Sequence, residues 1–398
     1  MRSITEDGSA PPLLMTSEEG SFAQGTVLQR KPQIIRQVLD DMDYPPEIRT
    51  ALIAFSDEIR TKTMQPLHET TGQASLWNHM LSRLGEPSWL ESPWYFAEAF
   101  FYRRLMEVVR YYQPGPWRLV DPFAPQKTRQ TQADLEPFAV VWKQILSIDF
   151  SERFEVLLHS ALWGNRTDLS NFTTVAAAAG GLAVSEEAHR ILINHTEDVH
   201  RLLKPGVLRV DFINDNVGSE LISDLALAAF LIEHGWAKQV VMHLKAQPYY
   251  VSDAMPADVQ MTIDQMQAHP DKTLQALGNR LAGCQETGCL IFLSDPFWNS
   301  PYFFTELLPH IKSELERSAL IIIKGDANYR RVIEDRRWPH TARVEQINRA
   351  LPRPFLLLRT LKAELMAGLA PGQAEQLFAE DPGWLTNGVR GVIHLIAP

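Results

Sequence analysis

An alternation of strand-like and helix-like segments after Leu203 constrains the fold more than any other feature of the chain. Short apolar runs rich in β-branched residues are separated there by stretches with helical periodicity, such as residues 218–234. This alternation is typical of a mostly parallel, doubly wound sheet with helices on both faces. The predicted strands are Val207–Ile213, Gln239–Leu244, Cys289–Leu293, Ala319–Ile323, Pro354–Leu358 and Gly391–Ile396. We therefore expect a Rossmann-like α/β domain over residues 166–398.

The first part of the chain lacks this alternation and shows helical periodicity instead, with apolar residues at three- and four-residue spacing. Helices are predicted over residues 31–41, 47–60, 94–111, 134–148 and 153–162. A proline-rich stretch over residues 113–127 breaks the pattern and is expected to be a loop or hinge. The prediction is an N-terminal helical domain over residues 21–165. Residues 1–20 are expected to be a mobile tail, because they are acidic and lack the apolar segment of a signal peptide.

Composition and charge exclude several classes of protein. A formal net charge of -10 is opposite to the basic excess expected of a nucleic-acid-binding protein. The longest apolar stretches, such as residues 175–184, are too short to span a bilayer. Cys284 and Cys289 cannot form a disulfide framework, and scarce cysteine fits a reducing cytoplasm. The chain also lacks the glycine-rich fingerprints of dinucleotide-binding, P-loop and nucleophile-elbow enzymes.

Polar residues gather where the predicted strands end. Asp215 and Asn216 follow the strand over residues 207–213, and Asp253 lies in the loop after the next strand. Ligands of a parallel sheet bind outside the carboxyl ends of its strands, so these side chains are expected to face one site. Carboxylate and amide oxygens suit a hard divalent cation such as Mg²⁺ or Mn²⁺ better than zinc.

A second group of strand-end residues is cationic. Lys324 and Arg330 follow the strand over residues 319–323, and Arg359 and Lys362 follow the strand after it. Such side chains suit a phosphoryl group, which arginine can hold through two hydrogen bonds. A carboxylate-held divalent metal beside a cationic cluster is an arrangement that phosphoryl-transfer enzymes use.

Each of these residues also has a purely structural interpretation. Asp215 and Asn216 could be turn or helix-capping residues, and Asp253 could cap the helix that follows it. Arg330 could belong to a solvated face, and Lys362 could simply begin a helix. The coincidence of polar groups at five successive strand ends favours the functional interpretation.

Five ordered motifs make the chain similar to the metal-dependent damage-control phosphatases, and more narrowly to their third subfamily. The motifs are WGNRTDLS (163–170), DNVGSE (215–220), HLKAQPYYVSD (243–253), KGDANYRR (324–331) and RTLKAE (359–364). The Gly-Asn-x-x-Asp and Arg-Thr-x-Lys signatures that mark this subfamily are present at residues 164–168 and 359–362. The similarity covers nearly the whole chain beyond the tail.

The resemblance implies a metal-dependent phosphomonoesterase of the cytoplasm that hydrolyses phosphorylated sugars such as fructose 1-phosphate in metabolite damage control. It implies a divalent cation, Mn²⁺, Co²⁺, Ni²⁺ or Mg²⁺, held by Asp215, Asn216 and Asp253. The residues implied in substrate binding are Glu220, Lys324, Gly325, Asp326, Asn328, Tyr329, Arg330 and Lys362, with Asn165, Asp168 and Arg359 as a supporting set. Catalytic roles fall to Asp215 and Asp326, and the attacking group would be either water or a carboxylate such as Asp215.

Two other functions stay open at this point. One member of the family has been described as a protein-glutamate O-methyltransferase that uses S-adenosylmethionine, and Glu220 lies where the motif places that donor. No glycine-rich donor loop supports this alternative. A non-enzymatic interaction protein built on the helical half would leave the polar strand ends without a reason to converge. We expect a small phosphosugar as the partner, and neither nucleic acid nor a membrane.

Overall fold

The computed structural model describes residues 10–61, 63–164 and 189–397 of the chain. Strands in these ranges form one sheet: β1 Ile191–Asn194, β2 Val207–Ile213, β3 Ala237–Leu244, β4 Leu290–Ser294, β5 Leu320–Lys324, β6 Phe355–Thr360 and β7 Gly391–Ile396. The strand order is β1-β7-β6-β5-β2-β3-β4, and neighbours are parallel except for the antiparallel pair β6 and β7. The predicted α/β fold with a mostly parallel sheet is confirmed.

The helices of the described ranges precede the sheet, alternate with its strands and follow it. They are α1 Phe22–Gly25, α2 Lys31–Asp41, α3 Pro46–Thr61, α4 Ala74–Arg83, α5 Trp94–Val108, α6 Ala124–Ser147, α7 Phe150–Trp163, α8 Thr196–Leu203, α9 Ser219–Glu233, α10 Pro256–Ala268, α11 Lys272–Glu286, α12 Pro309–Leu315, α13 Gly325–Val332, α14 Val344–Ile347 and α15 Gln373–Glu380. A π-helical turn, Thr26–Arg30, joins α1 to α2. Within the described part of the chain, no helix is both long and apolar enough to cross a membrane.

Successive residues of the central strands point to opposite faces of the sheet and enter two different cores. One core contains Phe212 and Ile322 and is closed by α7 and α9. The other contains Ile213 and Ile323 and is closed partly by α13. Although β2 and β5 are neighbours, the helices that follow them lie on opposite faces. The carboxyl ends of β2 and β5 therefore flank the topological switch point of the sheet, where a crevice opens.

The N-terminal helices α2 to α5 pack around a third core, in which aromatic side chains of α5 such as Phe100 and Phe101 are fully buried. The loop after β3 enters this core through Tyr249, Tyr250 and Val251. Since that loop starts at the carboxyl end of β3, it joins the helical part of the chain to the edge of the sheet that carries the switch point.

Two parts of the chain are arranged differently from the predicted division into domains. Helices α6 and α7, predicted within the helical domain, share a core with the sheet through side chains such as Phe138 and Leu157. Residues 10–20, predicted as part of a mobile tail, pack against the fold. Leu14 is fully buried, and its amide donates to the Asp335 carbonyl at 3.0 Å.

Candidate functional site

The three predicted metal-binding residues lie together because the backbone after β2 pairs with the loop after β3. Asn216 and Asp253 form an isolated antiparallel bridge. Beside it, the Ala254 amide donates to the Asp215 carbonyl at 2.8 Å. The pairing therefore fixes the positions of the carboxylates of Asp215 and Asp253 at the switch point before any ligand binds.

The contacts of these residues do not support the alternative roles in helix capping or in a solvated face. The N-cap of α9 is Gly218, and the Ser219 amide at the start of the helix donates to Asp134 Oδ2 at 2.8 Å and not to Asp215 or Asn216. At the start of α10, the Asp258 carboxylate accepts from the Met255 amide at 2.9 Å, so Asp253 is not the cap. Arg330 is fully buried, which rules out a solvated face.

Asn216 orients the carboxylates around it. Its Nδ2 donates to Asp215 Oδ2 at 2.9 Å and to Glu220 Oε2 at 3.1 Å. Its Oδ1 accepts from the Ser252 hydroxyl at 2.6 Å. Because an amide oxygen has two lone pairs, one stays available for a cation.

Gly325 allows the end of β5 to approach the Asp215 carboxylate closely. Its φ is +79°, and a Cβ atom at this position would lie 1.8 Å from Asp215 Oδ2. No side chain can be accommodated there, and the backbone conformation itself favours glycine. The sequence predicted that Gly325 brings the backbone close to a ligand. In the structure its close neighbour is the carboxylate proposed to bind the metal.

The Asp215 carboxylate belongs to a buried cluster in which carboxylates outnumber lysines. Four carboxylates, those of Asp215, Glu220, Asp224 and Asp253, are almost completely inaccessible to solvent, as are the two lysines that contact them, Lys245 and Lys324. The Lys245 ammonium lies 3.2 Å from Asp253 Oδ2, and the Lys324 ammonium lies 3.0 Å from Asp224 Oδ1 and 3.4 Å from Glu220 Oε1. Full ionisation would leave two negative charges uncompensated.

The pKa shifts follow from this burial and repulsion. Burial, with Asp253 and Glu220 nearby, raises the pKa of Asp215 well above its usual range. Burial raises the pKa of Asp253 to about 6, although Lys245 acts against the shift. Because a buried carboxylate is costly unless it is paired, the cluster favours binding either protons or a cation.

The residues present fit a divalent metal ion. Asp215 Oδ1 is buried and has no hydrogen-bond partner among the described residues. Two carboxylates and one amide provide an all-oxygen donor set, and a divalent cation would balance the excess negative charge of the cluster. The described ranges hold no group of three or more His, Cys, Asp or Glu side chains in metal-binding geometry. The Asn216 amide oxygen, which lies beside the Asp215 carboxylate, would be the third protein ligand.

Three of the predicted cationic residues hold carboxylates instead of facing the crevice. Lys324 points inward to Glu220 and Asp224. Arg330 and Arg359 both contact Asp326, with Nε to carboxylate distances of 2.9 and 2.7 Å. Burial alone would raise the pKa of Asp326, but Arg359 and Arg330 hold this pKa below its usual range. Asp326 is thus kept ionised and is suited to accept hydrogen bonds.

Asn328 and Tyr329 are buried and join parts of the fold. Asn328 Nδ2 donates to the carbonyls of Asn214 and Lys324, at 3.2 and 2.9 Å, and so connects the ends of β2 and β5. The Tyr329 hydroxyl accepts from the Ala367 amide at 2.9 Å. These contacts give both residues a supporting position behind the crevice.

The crevice itself is a cavity of 350 Å³, called here the metal cavity. It is lined by Phe22, Arg30, Trp94, Leu162, Asp215, Asn216, Glu220, Tyr250, Ser252, Asp253, Gly325, Asp326, Ala327, Leu358, Thr360 and Lys362. Seven of the residues predicted for the site line this cavity, whereas Asn165 and Asp168 lie outside the described residues.

Arg30 is a lining residue that sequence reasoning missed. It comes from the π-helical turn of the N-terminal part and faces the metal cavity beside Asp253. Arg30 is exposed to solvent, and its pKa is raised, first by Tyr102, with further contributions from Glu98 and Asp253. No local feature of the sequence distinguishes it from a solvated arginine.

Known proteins are similar to this chain over most of its length. The profile of the damage-control phosphatase ARMT1-like domain matches residues 26–377. Damage-control phosphatase ARMT1 of Danio rerio is 32% identical, over 98% of this chain and 98% of its own length. The protein of that name from Xenopus laevis is 34% identical, over 97% of this chain and 98% of its own length. The crystal structure of a DUF89 family protein from Pyrococcus horikoshii aligns with a TM-score of 0.48 and 15% identity, covering 94% of this chain and 97% of that chain. From the profile match and these relatives, the chain belongs to the ARMT1-like damage-control phosphatase family.

Proposed function

We propose that this chain is a metal-dependent phosphatase that hydrolyses phosphorylated sugars, such as fructose 1-phosphate, in the cytoplasm. The observation that carries the proposal is the cluster of the buried Asp215 and Asp253 carboxylates with the Asn216 amide, which shares one cavity with the cations Arg30 and Lys362. The names of the relatives, all damage-control phosphatases, support the same reaction class. A volume of 350 Å³ lies within the range of about 300–1,000 Å³ for small-molecule sites.

Asp215, Asn216 and Asp253 would hold Mn²⁺, Co²⁺, Ni²⁺ or Mg²⁺. When bound, the ion would supply charge neutralisation to the phosphoryl oxygens and polarise the phosphorus centre. Arg30 and Lys362, from opposite ends of the chain, would bind the remaining phosphoryl oxygens and orient the group for attack.

Asp326 is proposed to accept hydrogen bonds from sugar hydroxyls, because Arg330 and Arg359 keep it ionised. Asp326 is not proposed as a proton donor, because a carboxyl group that donates a proton near neutral pH would need a raised pKa. The aromatic walls Phe22 and Trp94 would exclude water from the bound phosphosugar, and the N-terminal helices that carry them would complete the closed site.

The test is hydrolysis of a panel of sugar phosphates by metal-stripped protein, with and without each of the four ions. We expect no phosphate release after chelation and recovery with at least one ion. Asp253→Asn should abolish the recovery while leaving the protein folded, as judged by circular dichroism. Full activity in metal-free protein would overturn the proposal. Micromolar binding of S-adenosylmethionine by calorimetry, with methyl transfer to a carboxylate, would favour the methyltransferase alternative instead.

A further inference from the structure

A second cavity, of 560 Å³, lies between the N-terminal helices and the chain that follows α13. We call it the interface cavity. It is lined by the N-terminal segment at Leu13, by α4 and α5, by the loop at residues 301–306 and by residues 334–350. It shares no lining residue with the metal cavity. Cavities between separately packed parts of a protein are frequent ligand sites, and this volume suits a small molecule.

The walls of the interface cavity are aromatic and apolar. The rings of Tyr95 and Phe303 lie 5.3 Å apart between centroids, and Phe96 and Trp338 extend the same surface. Tyr95 and Trp338 are at most 8% exposed, so they form a fixed wall. Such walls suit a flat or branched apolar group.

Three arginines and two glutamates line the interface cavity, which leaves a surplus of one positive charge. Arg336 Nε donates to Glu334 at 3.2 Å, and Glu306 accepts from the Phe303 amide at 3.0 Å. Arg83 and Arg349, which are both exposed to solvent, also line the cavity. Among the described residues, neither of these two makes an ion pair or a side-chain hydrogen bond. The cavity therefore presents two arginines able to bind an acidic group from the ligand.

We propose that the interface cavity binds a small amphipathic anion: an aromatic or branched apolar body with one carboxylate, phosphate or sulfonate group. The body would lie against Tyr95 and Phe303, and the acidic group would contact Arg83 and Arg349. This site is separate from the metal cavity, and its test needs no phosphatase activity, so either proposal can fail alone.

The probe is 8-anilinonaphthalene-1-sulfonate, an aromatic anion whose fluorescence rises in an apolar site, titrated into the full chain. N-phenyl-1-naphthylamine is the matched probe, because it has the same rings without the sulfonate. We expect Arg83→Gln with Arg349→Gln to weaken binding of the anion about tenfold or more, and binding of the neutral dye by less than about twofold. Phe303→Ala should weaken both.

Two control variants make the result specific. Arg118→Gln removes an exposed arginine outside the interface cavity, and Arg30→Gln removes one from the metal cavity. Both should bind the anion as the unchanged chain does, with thermal melting showing that every variant is folded. Equal affinity of the double variant and the unchanged chain for the anion would overturn the proposal. Loss of binding in Arg30→Gln alone would also overturn it, because the probe would then occupy the metal cavity.

Discussion

At the scale of single residues, the site consists of a few charged side chains whose roles are separated by burial. Asp215 and Asp253 are buried beside one another with too few cations, whereas Asp326 is held by two arginines. The same residue type thus lies in an acidic cluster with too little positive charge in one place and between two arginines in another. Burial and partner, more than residue identity, decide which role each carboxylate can take.

Lys362 is expected to bind the phosphoryl group. Lys362→Ala should lower kcat/KM about ten- to a hundredfold, since a charge-assisted hydrogen bond in a closed site contributes roughly 1.5–3 kcal/mol. Lys312→Ala, at a half-exposed position on α12, is the control and should leave kinetics unchanged. Steady-state kinetics on the best sugar phosphate, with melting curves for both variants, measure the effect. Wild-type kinetics in a folded Lys362→Ala variant would contradict the role.

The stability of metal-free protein should depend on pH through Asp253. Its pKa of about 6 when folded exceeds the ordinary value of 3.8, so the folded chain holds this proton more tightly than the unfolded chain does. The resulting stability is fully present below about pH 4 and is lost as the pH rises through about 6. Asp253→Asn lacks this dependence.

Melting temperatures in chelator, measured from about pH 4.5 to about pH 7.5, give the comparison. The wild-type Tm should fall relative to that of Asp253→Asn as pH rises, because each unit of pKa shift corresponds to about 1.4 kcal/mol. Adding Mn²⁺ near neutral pH should stabilise the wild type and not the variant. Parallel curves for the two proteins in chelator would contradict the assignment.

At the scale of elements, the sequence predicted the strands well where they are apolar and follow a clear turn. The bounds of β2 and β7 match those predicted. The edge strand β1 was missed, because four residues carry little periodicity and its pairing partner β7 lies about 200 residues later. KGDANYRR was expected to follow a strand as a polar end, and most of it forms α13.

The acidic part of the site could be predicted because parallel strands bring their carboxyl ends together. Asp215 and Asp253 needed only the strand assignments and that rule. Arg30 could not be predicted in this way, because its position depends on how the N-terminal helices pack on the sheet. Tertiary packing of that kind leaves no local pattern in the chain.

Arg30 gives the prediction at this scale. It ends the π-helical turn between α1 and α2, a type of irregularity that is rare and frequent at functional sites. Arg30→Gln should raise KM for a sugar phosphate about tenfold with little change in Tm, because the side chain faces the cavity. Arg36→Gln, at an exposed position on α2, serves as the control. Equal KM values for the two variants would remove Arg30 from the substrate site.

At the scale of the whole molecule, the helical part and the sheet are joined by contacts that exist only when both parts are folded. Tyr250, from the loop after β3, is buried among the N-terminal helices. The Tyr95 amide of α5 donates to Asp335 Oδ2, in the chain after α13, at 3.2 Å. We infer that the helical core and the sheet unfold as one cooperative unit.

Differential scanning calorimetry should therefore show one transition, with calorimetric and van't Hoff enthalpies in agreement. Tyr250→Ala should lower its midpoint, since removing a buried aromatic side chain costs roughly 3–5 kcal/mol. The transition should stay single, because both cores depend on this loop. Two resolved transitions, with only the first shifted by the substitution, would show that the parts unfold independently.

The metal cavity can be completed only late in the synthesis of the chain. Arg30 and Lys362, which line the same cavity, are separated by more than 300 residues of chain. A ribosome adds roughly 5–20 residues per second, so Arg30 leaves it tens of seconds before Lys362 is made. The edge strand β1 must also wait for its partner β7, the strand nearest the C-terminus. An emerging chain therefore carries its carboxylates without the complete cavity, and a chain cut short between these two cations never acquires it.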